Sequence, residues 1–259
     1  MIRNETAGPV RRLVLDRPDK RNALNWDMIP QLVEGIHAAA NDASCRCLVI
    51  TGAGDTFCAG RDLGAGKGRE AELEDVLADD DAYQAIFEAL RTLSCPSVAV
   101  VRGHAVAGGF TLAMGCDFVL AEKGAKFGAM EMRGGFPAAV NTSLLSHLAG
   151  PRQALELLLS ADTFPAERLH DMGLINRLAD GPNELETMTE DFVQGLVDLE
   201  PVAVRLTKET LRAVSTMPLG EALTVSKQLN ALLMASGRID KAAEIFARAK
   251  AAREGKSGG

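Results

Sequence analysis

The sequence predicts an α/β protein. Apolar runs of strand length lie near residues 10–16, 46–51, 97–102 and 117–121, and amphipathic helical patterns separate them. Alternating strands and helices are typical of an α/β core, because each helix covers a sheet face with its apolar side. The chain has 259 residues, of which 47% are hydrophobic and 24% are charged. A chain of this size and composition can bury a large core in one domain.

Two amphipathic helices are predicted in the first third of the chain. The first covers residues 26–41, and Asn25 or Asp27 can begin it because short polar side chains accept hydrogen bonds from the first N–H groups of a helix. Its apolar residues fall on one face: Ile29, Leu32, Val33 and Ile36. The second helix is longer and acidic, and covers residues 70–93.

The second half of the chain is predicted to contain shorter strands and more helix. Short strands are expected near 126–128 and 174–178. From about residue 138 onward the pattern is otherwise helical. The C-terminal part is therefore expected to be a helical region.

Charge and composition exclude several classes of protein. The net charge of −7 argues against nucleic acid as the main partner, since phosphate binding needs clustered Lys and Arg. The sequence has no apolar run of about 18 residues and starts with polar residues, so we expect a soluble, cytoplasmic protein without a membrane partner. The four histidines lack the spacing of zinc ligands, and we expect no metal. The five cysteines stand in apolar surroundings and are expected to be buried thiols.

A glycine pair follows an apolar strand at residues 99–107 and leads into an apolar helix. The first N–H groups of a helix lack intrahelical partners, so the Gly108-Gly109 turn can hold a developing negative charge. A second apolar strand ends in a similar small-residue turn within residues 49–63. Two such turns together can form an oxyanion hole. Taken alone, Gly-Gly after a strand favours a simple tight turn with close packing.

Ordered blocks along nearly the whole chain resemble the crotonase family, which comprises the enoyl-CoA hydratases and isomerases. No single block would identify the family, but their order and spacing do. The blocks are Leu15-Asp-Arg-Pro-Asp-Lys-Arg-Asn-Ala-Leu24, Phe57-Cys-Ala-Gly-Arg-Asp-Leu63, residues 105–117, Phe127-Gly-Ala-Met-Glu131, Gly150-Pro-Arg-Gln-Ala-Leu-Glu-Leu-Leu-Leu-Ser160 and Ala166-Glu-Arg-Leu-His-Asp-Met-Gly-Leu-Ile-Asn176.

The resemblance implies a fold and an assembly. It implies a core of repeated ββα units over residues 1–195 and a helical region over 196–259 that takes part in oligomerisation and covers the pocket. Members form trimers or paired trimers, so a homotrimer or homohexamer is expected. The implied substrate is an acyl-CoA thioester, with coenzyme A as part of the substrate and no further cofactor.

The resemblance also implies site residues. The backbone N–H groups of Arg61 and Gly108 would form the oxyanion hole that polarises the thioester carbonyl. The expected substrate-binding residues lie in these blocks or shortly after Glu131: Ala59, Asp62, Leu63, Arg21 and Phe136.

The carboxylates decide which reaction is expected. Family hydratases carry two glutamates, and the second matches Glu131, whereas Thr111 stands at the position of the first. A Thr hydroxyl can hydrogen-bond water but cannot accept a proton at neutral pH. In an apolar pocket the pKa of Glu131 would be raised, as a general acid and base requires.

One glutamate beside an oxyanion hole suffices for a 1,3-proton shift, the enoyl-CoA isomerase reaction. Hydration stays open if Thr111 orients water for Glu131. The resembled scaffold also hosts thioester hydrolysis and decarboxylation, so both reactions stay open too. A catalytically silent acyl-CoA-binding or assembly protein with the same fold is the hypothesis from a different functional class.

Overall fold

The computed structural model describes residues 1–62, 64 and 72–236. The strands in these ranges are β1 (Ile2–Ala7), β2 (Val10–Leu15), β3 (Cys47–Gly52), β4 (Ser97–Val101), β5 (His104–Val106), β6 (Phe118–Glu122), β7 (Lys126–Gly128), β8 (Phe164–Pro165) and β9 (Arg177–Ala179). The α-helices are α1 (Met28–Asn41), α2 (Leu73–Thr92), α3 (Gly108–Met114), α4 (Ala139–Leu148), α5 (Pro151–Leu159), α6 (Ala166–Asp171), α7 (Pro182–Val197), α8 (Pro201–Val214) and α9 (Leu219–Ala235). Two 3-10 helices cover Pro18–Lys20 and Glu131–Gly134. The predicted α/β class is confirmed.

The larger sheet has the strand order β1-β2-β3-β4-β6-β9. β1 is antiparallel to β2, and the other neighbours in this sheet are parallel. A smaller sheet has the order β5-β7-β8, in which β5 and β7 are parallel. The two are linked by the chain itself, since β4 runs almost directly into β5 and β6 into β7.

Successive residues of a strand point to opposite faces of the sheet. In the inner strands of the larger sheet both sets are buried, so both faces are covered. In β3, Leu48 and Ile50 belong to the main core, which also contains the apolar faces of α1 and α2. Cys47 and Val49 belong to a second cluster that includes Val193 of α7. This two-sided burial explains why β3 is a continuous apolar run in the sequence.

The start of α1 shows which of the two predicted residues caps it. The Asn25 Oδ1 accepts a hydrogen bond from the Met28 N–H at 3.0 Å. Asp27 occupies the N-cap position but makes no side-chain cap bond. Asn25 therefore satisfies one of the N–H groups that lack an intrahelical partner.

The structure corrects the sequence prediction at four strands. The apolar run before Gly108, predicted as one strand, forms two strands, β4 and β5. β1 is not predicted, because its residues IRNETA are polar and lie largely exposed at the edge of the sheet. β8 interrupts the region predicted to be helical, and its two residues are too few to show a strand period. β9 occupies 177–179 rather than 174–178. All five cysteines are buried, as predicted.

The chain divides into two compact units, Met1–Val204 and Arg205–Gly259. The boundary between the units lies within α8. From the sequence, the core is expected to end earlier, at residue 195. Over its described residues 205–236 the second unit consists of the end of α8 and of α9. Among the helices of the described ranges, none is both long and apolar enough to cross a membrane.

Candidate active site

Two glycine-rich backbone segments meet at one point. A parallel bridge pairs Cys58 with Ala105, and a Cβ atom added to Gly109 would lie 2.2 Å from the carbonyl oxygen of Cys58. Gly60 has a φ of +97°, and a Cβ atom there would lie 3.0 Å from the backbone N of Gly108. Glycine is needed at these contacts because any side chain would force the segments apart. The two turns therefore converge, as the sequence predicts.

The convergence places two backbone N–H groups next to each other. Gly108 is the first residue of α3, and a Cβ atom on it would lie 3.3 Å from the backbone N of Arg61. Within the described part of the chain, neither N–H has a hydrogen-bond acceptor. Ala107 is held at φ 49° and ψ −124°, a conformation rare for a residue with a side chain. Two adjacent N–H donors of this kind can hold a negatively charged oxygen.

Two buried hydroxyl groups flank the second turn. The Tyr83 hydroxyl donates to the carbonyl oxygen of Gly108 at 3.2 Å, and burial raises the pKa of Tyr83 well above its ordinary value. The Thr111 hydroxyl donates to the carbonyl oxygen of Ala107 at 3.2 Å. Thr111 is 1% exposed. The Thr111 hydroxyl also interacts with the Tyr83 hydroxyl, and its acceptor lone pairs can hold a ligand.

Glu131 begins a short 3-10 helix that follows β7. Its Oε1 accepts a hydrogen bond from the Asn141 Nδ2 at 3.0 Å. Its Oε2 is buried and has no hydrogen-bond partner in the described part of the chain. Burial raises the pKa of Glu131, although the Asn141 hydrogen bond acts in the opposite direction. The raised pKa agrees with the prediction made from the sequence.

The side chain of Arg61 is fixed independently of its backbone N–H. The guanidinium donates to the Asp80 carboxylate at 2.7 Å. Its central carbon lies 5.1 Å from the ring centroids of both Trp26 and Tyr83. A cation held between two aromatic rings and paired with a carboxylate has little freedom. This arrangement anchors the residue whose backbone N–H faces Gly108.

A cavity of about 570 Å³ opens onto these groups. Six residues predicted for the site line it: Ala59, Arg61, Gly108, Thr111, Glu131 and Phe136. The apolar part of the lining includes Met130, Pro137, Ala139 and Val140. The cavity therefore joins a mostly apolar wall to two N–H donors and one carboxylate with an open oxygen, and this combination suits proton transfer next to a polarised carbonyl.

Two of the predicted substrate-binding residues lie elsewhere. The Asp62 carboxylate pairs with the Arg17 guanidinium at 2.6 Å, and this pairing lowers the pKa of Asp62. Arg21 is exposed, and its carbonyl oxygen accepts the Ala59 N–H at 3.0 Å. Neither is among the residues that line the cavity. Leu63 lies outside the described residues.

Sequence reasoning missed three site residues, namely Asp80, Tyr83 and Asn141. Asp80 and Tyr83 lie on α2 and meet the turns only through tertiary packing. Tyr83 is the only tyrosine of the chain, and a hydroxyl on an apolar helix face was the available signal. Asn141 is followed by Thr142 and Ser143 in α4, so no local pattern distinguishes it from its polar neighbours.

The chain is similar to known proteins over most of its length. The sequence model of the family described as enoyl-CoA hydratase/isomerase matches residues 5–253. A crotonyl-CoA hydratase from Syntrophomonas wolfei is 31% identical over 227 residues, which cover 86% of each chain. A 1,2-epoxyphenylacetyl-CoA isomerase from Escherichia coli is 31% identical over 229 residues, again 86% of each chain.

Solved structures extend the likeness to the fold. An enoyl-CoA hydratase from Mycobacterium smegmatis superposes with a TM-score of 0.85 at 26% identity, over 90% of this chain and 91% of the other. The predicted crotonase-like architecture is thereby confirmed. The relatives include both hydratases and isomerases, so the likeness does not choose between these reactions.

Proposed function

Because the chain belongs to the enoyl-CoA hydratase/isomerase family, we propose that it acts on an acyl-CoA thioester through an enolate. The backbone N–H groups of Arg61 and Gly108 hold the thioester oxygen, and Glu131 is the single general acid and base. Coenzyme A enters as part of the substrate, and the reaction uses no further cofactor. The acyl group occupies the cavity beside Phe136 and Val140.

One observation carries this proposal. The Oε2 atom of Glu131 is buried without a partner in the described part of the chain and belongs to a residue that lines the same cavity as Arg61 and Gly108. A buried acceptor without a donor is costly unless a ligand supplies the missing hydrogen bond. A C–H group acidified by the neighbouring thioester provides the proton that such an oxygen accepts.

The proposed steps balance for a 3-enoyl thioester. Glu131 removes a proton from C2, and the electron pair of that bond delocalises through the carbonyl onto the thioester oxygen. The two N–H donors stabilise this enolate oxygen, each by about 3 kcal/mol. Glu131 then returns the proton to C4, and the double bond moves from C3 to C2. The carboxylate is regenerated, and the product contains the same atoms and the same charge as the substrate.

The arrangement of the carboxylates favours isomerisation. Among the described residues of the cavity wall, Asp80 is the other carboxylate, and it is paired with Arg61. The Thr111 hydroxyl donates to the Ala107 carbonyl oxygen and cannot accept a proton at neutral pH. One mobile proton acceptor is sufficient for a 1,3-shift, whereas hydration by the two-glutamate route needs two.

Hydration is a second candidate because Thr111 lines the cavity. Its acceptor lone pairs could orient a water molecule that Glu131 deprotonates. This route needs Thr111 itself, whereas the 1,3-shift does not.

A panel of 2-enoyl-CoA and 3-enoyl-CoA thioesters tests the proposal. Conversion of the 3-enoyl compounds to 2-enoyl compounds supports isomerisation, and loss of the 2-enoyl absorbance supports hydration. Release of free coenzyme A would indicate thioester hydrolysis instead. Saturable binding without turnover of any thioester would show that the protein is catalytically silent.

We also propose a homotrimer or homohexamer. Supporting this, α9 exposes large apolar side chains, namely Leu219, Leu223, Leu232 and Met234. Light scattering should give three or six times the chain mass of 27.5 kDa. A monomer at micromolar concentration would contradict this expectation.

A further inference from the structure

Asn141 connects two parts of the site that are distant in sequence. It lies in α4 and is 1% exposed. Its Nδ2 donates to the Glu131 Oε1 at 3.0 Å and also to the Ala107 carbonyl oxygen at 3.4 Å. Ala107 immediately precedes Gly108. A single amide group thus contacts both the carboxylate and the turn that carries one of the N–H donors.

The position is poorly explained by stability alone. The Asn141 Oδ1 is buried without a hydrogen-bond partner in the described part of the chain. A buried unpaired acceptor destabilises a fold. An apolar side chain would pack between α3 and α4 without this cost. The amide therefore points to a role in the reaction.

We propose that Asn141 is a positioning residue that orients the Glu131 carboxylate for proton transfer and ties it to the turn bearing Gly108. The inference rests on the proposed function. The amide holds Oε1 and leaves Oε2 as the oxygen that takes the proton. After Oε2 takes the proton, the amide still donates to Oε1, which remains an acceptor in the neutral carboxyl group. Both protonation states of Glu131 then have a hydrogen-bond partner.

Replacing Asn141 should shift the pKa of Glu131 in a definite direction. A donor to the ionised carboxylate stabilises the charged form, so removal of the Asn141 amide raises the pKa of Glu131. The other groups that face Glu131 across the cavity are the Arg61–Asp80 ion pair and the neutral Tyr83 hydroxyl. α3 contributes no titratable group, and on α4 the titratable side chain is the exposed His147. These groups stay the same when Asn141 is replaced.

Two variants test the role. Asn141→Leu keeps the size and removes the donor, and Asn141→Asp keeps the shape and adds a negative charge. We expect kcat for the preferred enoyl thioester to fall by about tenfold or more in Asn141→Leu, with KM changed by less than about twofold. The acidic limb of the kcat/KM profile should move to higher pH by about one pH unit. It should move further in Asn141→Asp.

A second readout needs no turnover. Titration of the Glu131 side-chain carboxyl by ¹³C NMR in the free protein should show the same order, with the pKa lowest in the wild type and highest in Asn141→Asp. Failure of the wild type to convert any thioester would overturn the proposed function and leave this titration as the test of the inference. Ser143→Ala, an exposed change on the same helix, should leave both readouts unchanged. An unchanged Glu131 titration in both Asn141 variants would overturn the positioning role.

Discussion

The start of α3 and the 3-10 helix Glu131–Gly134 face the same cavity but are built differently. All residues of α3 are buried, whereas no residue of the 3-10 helix is fully buried. At α3 the hydroxyl of Thr111 donates to the backbone, while Glu131 keeps one oxygen without a partner among the described residues. The difference separates two tasks. Stabilising an enolate oxygen needs fixed dipoles, and moving a proton needs an available acceptor.

The largest expected effect comes from Glu131→Gln, which removes the proton acceptor and leaves the α3 side intact. Turnover should fall by about a thousandfold or more, since a positioned acid and base contributes about 10² to 10⁴ in rate. Binding of an acyl-CoA thioester should be nearly unchanged, because the two N–H donors remain. Steady-state kinetics and calorimetry measure the two quantities. Glu156→Gln, at an exposed carboxylate of α5, is the matched control, and retained turnover in Glu131→Gln would place the base elsewhere.

The same variant has a predictable effect on stability. Because burial raises the pKa of Glu131 in the folded state, the folded protein binds this proton more tightly than the unfolded chain does. Ionisation of Glu131 therefore opposes folding as the pH rises above its ordinary value. Denaturant unfolding should show Glu131→Gln gaining stability over the wild type between acidic and neutral pH. A constant difference across this range would contradict the shifted pKa.

Gly109→Ala changes the start of α3, where the two glycine-rich turns meet. The new Cβ would lie 2.2 Å from the Cys58 carbonyl oxygen, so the two turns must separate. We expect a loss of stability of about 1 to 3 kcal/mol and a fall in kcat/KM of about a hundredfold. Gly195→Ala, where a Cβ atom meets no neighbour within 4 Å, should not destabilise the protein. Full activity in Gly109→Ala would show that the convergence of the turns is dispensable.

The central sheet could be predicted from the sequence because its strands are buried on both faces. β3 and β4 are continuous apolar runs bounded by polar residues, and such runs are strong local signals. β1 is polar and edge-located, and it exists through its pairing with β2 across the short turn after Ala7. The strands of the smaller sheet have two or three residues each. Segments this short show no period; β7 lies where a short strand is expected, whereas β5 and β8 are defined by tertiary context.

The residues of the site also differ in how well the sequence could predict them. Gly108 and Glu131 stand in motif blocks, so the sequence could indicate both. Tyr83 and Asn141 act through partners that lie 25 and 10 residues away in the chain, and no local pattern reports such contacts. The resemblance also indicated Asp62, but the structure pairs that carboxylate with Arg17. A motif block thus identifies a segment more reliably than the direction of each side chain in it.

Tyr83→Phe removes one hydrogen bond from the start of α3 and keeps the aromatic ring beside Arg61. The Gly108 carbonyl loses the hydroxyl donor, which should cost about 1 kcal/mol of stability and reduce kcat by about fivefold. Tyr83→Leu removes the ring contacts with Arg61 and Phe87 as well, so it should be worse in both respects. Thermal unfolding and steady-state kinetics compare the two variants. Equal losses in both would assign the whole effect to the ring.

Thr111→Val should have the smallest effect on isomerisation and separates the two candidate reactions. Valine keeps the shape of threonine, and the Ala107 carbonyl still accepts the backbone N–H of residue 111 and the Asn141 amide. A 1,3-shift that uses Glu131 alone should therefore change by less than about twofold, because only one of several bonds to that carbonyl is lost. Any hydration of 2-enoyl thioesters should fall by about tenfold or more, since valine cannot hold the water. If instead isomerisation fell as steeply as in Glu131→Gln, the hydroxyl would belong to the proton path and the division of tasks between α3 and Glu131 would be wrong.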